Sequence, residues 1–66
     1  MFHDYLKARR LQLGLTQKQL SINSRIAEAV ICHYEKGNRL PSIKNMRRLA
    51  DALNVPLDLL YRKGNL

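Results

Sequence analysis

Between Leu15 and Pro41 the apolar residues Leu20, Ile26, Ile31 and Tyr34 stand at the spacing two short helices need to face a small core, with polar residues between them. This pattern predicts a helix-turn-helix over about residues 16–36, its helices packed nearly at right angles. Ser21 supplies a small side chain where the two approach most closely. Thr16 has the hydroxyl that suits the N-cap of the first of the pair, which runs to about residue 24. The second is predicted over about residues 28–36 and stops at Gly37. Gln17, Glu28, Ala29, Val30 and His33 fall at positions that this geometry turns outward and, in a DNA-bound unit, towards base edges.

The flanking segments continue the helical pattern. Phe2, Leu6, Leu11 and Leu13 form an apolar stripe interleaved with Lys7, Arg9, Arg10 and Gln12, and Gly14 ends that helix. After the basic loop Asn38-Arg39-Leu40-Pro41, Ser42 is placed to cap a helix with the stripe Ile43, Met46, Leu49, Ala50 and Leu53, ending at Asn54. Pro56 begins a last short helix with Leu57, Leu59, Leu60 and Tyr61, followed by a tail from Arg62 that is expected to fray. No strand, repeat or low-complexity tract is evident. The expectation is an all-α, compact five-helix domain spanning residues 1–66.

Composition narrows the partners. A chain of 66 residues has room for one modest core and none for a separate catalytic or sensing domain. Its formal charge of +7 and pI near 10.2 suit the phosphate backbone, although acidic membranes and acidic proteins attract such a chain too. Three Tyr, one Phe and no Trp are too few for a platform that stacks successive unpaired bases, so duplex DNA is the better target class. A single cysteine, Cys32, permits no intrachain disulfide, which points to a reducing cytoplasm. No apolar run approaches membrane-spanning length, and the start lacks the pattern of a secretory signal. Two histidines, one cysteine and scattered carboxylates supply neither metal-ligand spacing nor a nucleophile with its base. Neither an enzyme nor a cofactor or metal site is expected.

Leu15-Thr16-Gln17, Ile31 with Tyr34-Glu35, Gly37, Pro41-Ser42, and Leu49-Ala50 followed by Leu53-Asn54-Val55 together resemble the Cro/C1-type helix-turn-helix family, typified by the repressors and Cro proteins of lambdoid phages. The resemblance covers almost the whole chain. It implies a five-helix lambda-repressor-like fold, dimeric binding to roughly palindromic operators, and transcriptional regulation in bacteria or their phages. It also implies that the third helix is the recognition helix and that Arg10 and Glu35 form a structural ion pair between the first and third helices.

The candidate contacts fall into two groups. Glu28, Ala29, Val30 and His33 are candidates for base contact: Glu28 towards cytosine N4, Ala29 and Val30 towards thymine methyls, His33 towards a base or phosphate. Their plainer readings are a carboxylate favoured at a helix start, partial burial and an ordinary surface histidine. Thr16 and Gln17 at the start of the second helix, Lys36, Asn38 and Arg39 after the third, and Lys44 and Asn45 beside Ser42 are candidates for phosphate contact. Solvated polar surface is the alternative for each. Arg47, Arg48, Arg62 and Lys63 read as solvated charge.

Three departures from the family pattern bear on the turn. Arg25 stands where Gly is usual, Ser24 replaces a core aliphatic residue, and Ala27 lacks the hydroxyl or carboxamide of a typical N-cap. Ile22 takes a place that is usually polar. Leu57, Leu60, Tyr61 and Leu66 are candidates for a homodimer interface, with completion of the core as the alternative for Leu57 and Leu60. The sequence thus implies a dimeric regulator of double-stranded DNA, cytoplasmic and associated with the nucleoid. The alternative is a protein-interaction module, antitoxin-like, that docks a partner on Ile22, Ala29 and Val30.

Overall fold

A computed structural model describes residues 1–64, with side chains through Arg62, and shows α1 (Phe2–Gln12), α2 (Gln17–Ser24), α3 (Glu28–Glu35), α4 (Ile43–Leu53) and α5 (Leu57–Gly64). No strand occurs among the described residues. The chain's own capping chemistry sets the limits. Thr16 and Gln19 form a capping box at the start of α2: the Thr16 hydroxyl accepts from the Gln19 amide at 3.0 Å, and Gln19 Oε1 accepts from the Thr16 amide at 2.8 Å. Ser42 Oγ accepts the Asn45 amide at 3.3 Å and starts α4.

At the end of α3, Gly37 adopts φ +78, its amide reaches the Tyr34 carbonyl, and the Asn38 amide reaches that of His33. This paired closure needs a left-handed residue, and a Cβ at Gly37 would also stand 3.2 Å from the His3 ring. The third helix therefore ends at Glu35, one residue before the sequence expectation, with Lys36 as its C-cap. The fifth runs on through Gly64 where a frayed tail was expected.

The helices enclose one apolar cluster. α1 packs against α3 and α5, α2 against α3 and α4, and α4 against α5. Leu6, Leu20, Ile31, Leu49, Leu53 and Leu60 are fully buried at its centre. The stripe predicted for α4 is present at Met46, Leu49, Ala50 and Leu53, but Ile43, in the first turn, stays 52% exposed. In α1 the expectation needs correcting: Leu11 and Leu13 are exposed, and the inward positions after Phe2 and Leu6 belong to Arg10. Phe2, Leu6 and Arg10 are four residues apart and share a face; Leu13 lies beyond the last helical residue, Gln12. Arg9 is half-buried, and its Nε donates to the Leu53 carbonyl at 3.1 Å, joining α1 to the end of α4. No helix among the described residues is long and apolar enough to cross a membrane.

The α2–α3 connection keeps a regular course with unfavourable residues. Arg25 is left-handed at φ 60, and Ser21 Oγ donates to the Ile26 carbonyl at 2.6 Å across the turn. Ser24 occupies the inward place one turn after Leu20, is 2% exposed, and its Oγ has no hydrogen-bond partner. A left-handed non-Gly residue and an unpaired buried hydroxyl each cost on the order of 1 kcal/mol. Arg25→Gly and Ser24→Ala are accordingly expected to stabilise the domain by about 0.5–1 kcal/mol each, raising the melting temperature by a few degrees in calorimetry. A fall in melting temperature for Ser24→Ala would mean that its hydroxyl is satisfied in solution.

Candidate nucleic-acid interface

Burial divides α3 into an inward and an outward side. Ile31, Tyr34 and Glu35 are buried, while Glu28, Ala29, His33 and Lys36 are exposed. Ala29, His33 and Lys36 follow helical spacing and form one face with Glu28 at its edge. Val30 departs from the expectation of an outward residue: it is half-buried and packs against the core cluster. Cys32 is half-buried as well. The surface left for a partner at the start of α3 is thus small, with one carboxylate and one methyl side chain.

Arg10 and Glu35 fix this helix from within. Arg10 Nε donates to Glu35 Oε2 at 2.7 Å and Nη2 to Oε1 at 3.0 Å, a two-pronged contact between side chains that are 8% and 4% exposed. Arg10 Nη1 also donates to the Leu15 carbonyl at 2.8 Å. The Glu35 hydrogen bond raises the Arg10 pKa above its ordinary value; burial opposes this and the Glu35 charge supports it. The resulting stabilisation is fully present below the ordinary arginine range and is lost only as pH rises through the raised value. Arg10 therefore remains a cation throughout the neutral range.

Two helix starts accompany the exposed face of α3. In α2 the Thr16 cap takes the Gln19 amide, leaving the amides of Gln17 and Lys18 without intrahelical partners. In α4 the Ser42 cap takes the Asn45 amide and leaves those of Ile43 and Lys44. Such free donors at the positive end of the helix dipole suit an anion. Lys36, Asn38 and Arg39 are exposed along the α3–α4 connection, so cations border the carboxyl end of α3, and Lys44 is exposed in the first turn of α4. Gln17 and Asn45 are half-buried instead: Gln17 Nε2 donates to Glu35 Oε1 at 3.2 Å, and Asn45 Nδ2 to Tyr34 Oη at 2.9 Å.

Sequence reasoning missed both carboxamide bonds. Residues 17 and 35, or 34 and 45, are too far apart for periodicity to connect them. The available signal was weaker: a buried tyrosine hydroxyl requires a hydrogen-bond partner. At the other end of the domain, Leu60 corrects the proposed dimer surface. It is fully buried and completes the single-chain core, so it has no side-chain area to offer a second copy. Leu57 is half-buried against that core, Tyr61 is 46% exposed, and Leu66 lies outside the described residues. Among the described residues no three His, Cys, Asp or Glu side chains gather as a metal site would require.

A bundle of short helices in which a tight turn joins α2 to α3 is the architecture of a helix-turn-helix protein. Residues 6–60 match the family model described as helix-turn-helix, and the chain belongs to this family, in its XRE-type branch of DNA-binding transcription regulators. Over 65 residues, 96% of the chain, it is 35% identical to the HTH-type transcriptional repressor RghR of Bacillus subtilis (strain 168). The chain spans about half, 48%, of that relative's length.

Proposed function

We propose that this chain is a sequence-specific regulator of transcription, acting as a repressor in the cytoplasm at the nucleoid and binding a roughly palindromic operator as a homodimer. The observation that carries the reading is the exposed Glu28, Ala29 and His33 face of α3, accompanied by two helix starts with free amides and an exposed basic connection. Glu28, Ala29 and His33 read base edges, and Val30 contributes at most the margin of its side chain. Thr16, Gln17, Lys36, Asn38, Arg39, Lys44 and Asn45 hold the phosphates on either side. The name of the Bacillus subtilis relative supports repression as the output.

Scale supports the dimeric reading. The longest dimension of the domain is 26 Å, shorter than the roughly 34–36 Å between half-sites one turn apart, so one copy serves one half-site. Tyr61 and the outer part of Leu57 are the remaining described candidates for the contact between copies, with Leu66 beyond the described residues.

The test is selection of bound duplexes from a random library at moderate salt, followed by titration against a shuffled duplex. Enrichment of a palindrome bound at least ~10³-fold more tightly is expected. Ala29→Asn should change the enriched sequence without unfolding the domain, since Ala29 is exposed. A second reading is favoured by Ile22, which is 67% exposed on α2: a surface that docks a protein partner. Equal binding of selected and shuffled duplexes would favour that reading.

A further inference from the structure

The half-buried carboxamides in the first turns of α2 and α4 both reach the carboxyl end of α3. Gln17 bonds Glu35 at 3.2 Å and Asn45 bonds Tyr34 at 2.9 Å. The acceptors are neighbours in sequence and only 8% and 3% exposed, so water competes weakly for either bond. About 100° separates successive residues of an α-helix, so the two donors hold α3 from two directions. Towards the amino end the side-chain bond falls before the helix: Ser21 Oγ donates to the Ile26 carbonyl at 2.6 Å, and Ala27 makes no side-chain cap. Polar side chains therefore fix the recognition helix at its carboxyl end, through the same two helix starts that offer free amides to an anion.

We propose that Gln17 and Asn45 are positioning residues that transmit the seating of α2 and α4 on the DNA backbone to the angle of α3 over the base edges. This rests on the DNA-reading function proposed above. Each carboxamide has two N–H groups, so donating one to α3 leaves the other for a phosphate. Losing the bond to α3 frees the recognition helix to tilt while the backbone contacts persist. The cost falls on discrimination between sequences rather than on general affinity.

Tyr34→Phe separates the two roles because it removes the acceptor and leaves Asn45 in place. The probes are the most enriched duplex from the selection and its shuffled copy, titrated well below the melting transition, with thermal unfolding recorded for each protein. For Tyr34→Phe the ratio of affinities is expected to fall about fivefold, the equivalent of one net hydrogen bond, with the shuffled duplex bound as before. Adding Asn45→Ala should not lower the ratio beyond that of Asn45→Ala alone. Gln17→Ala, at a half-buried position, should reduce the ratio similarly and carries the test if Tyr34→Phe does not fold. An unchanged ratio in the folded variants overturns the positioning role while leaving the DNA-reading function intact. A wild-type protein without sequence preference overturns both.

Discussion

Glu35→Ala is expected to leave the domain largely unfolded, or to lower its melting temperature by roughly 12 °C or more. The substitution strands the Arg10 guanidinium at 7% exposure with only the Leu15 carbonyl as a fixed acceptor. Breaking a buried pair from one side costs about 3–5 kcal/mol, because the remaining charge has lost its compensation. A domain of this length has a total stability of only about 3–10 kcal/mol. Each kcal/mol corresponds to roughly 4–8 °C in a domain this small. The same substitution also removes the acceptor for Gln17, so α3 loses its Glu35 hydrogen bonds to α1 and α2 together.

The informative comparison is Arg10→Met with Glu35→Leu. Burying two apolar side chains removes the desolvation penalty on both charges, and the double variant is expected to be markedly more stable than Glu35→Ala. Far-ultraviolet circular dichroism on heating checks both statements. Should Glu35→Ala melt within a few degrees of wild type, the pair would be solvated in solution and α3 would owe its position to Ile31 and Tyr34 packing alone.

Much of the fold was readable because local chemistry and periodicity agree. Thr16, Ser42 and Gly37 mark helix limits through bonds made within a few residues of themselves, and the stripe Met46, Leu49, Ala50 and Leu53 repeats without interruption. The errors arose where an apolar residue's fate depends on what stands opposite it. Leu11, Leu13 and Ile43 look like core residues in the sequence, yet they lie on the wrong face, past a helix end and in a first turn. Leu60 and Tyr61 are adjacent and both suit a buried or a shared surface; only the packing of α5 against α1 and α4 gives the first to the core. The site was legible to the same depth. Exposure at Ala29 and His33 agrees with outward helical spacing, but Val30 is drawn inward. The bonds from Gln17 and Asn45 join segments that no sequence window contains.

Removing the charges of Lys36 and Arg39 together should weaken binding to every duplex by a similar factor. Both are exposed, and nothing in the core depends on them, so Lys36→Ala with Arg39→Ala is expected to melt as wild type does. Each phosphate contact by a cation contributes about 0.9 to the slope of log K against log salt. Losing two should reduce that slope by roughly 2, and at about 0.15 M salt this corresponds to an affinity loss on the order of 30-fold relative to the high-salt limit. The enriched palindrome and its shuffled copy should lose affinity alike, because phosphates are common to both. Arg62→Ala, exposed on α5, is the control and should leave the slope unchanged. A loss confined to the palindrome would move Lys36 or Arg39 from the backbone to a base edge. An unchanged slope would return them to solvated charge, and the basic surface would then have to act through Lys44 and the free amides at the starts of α2 and α4.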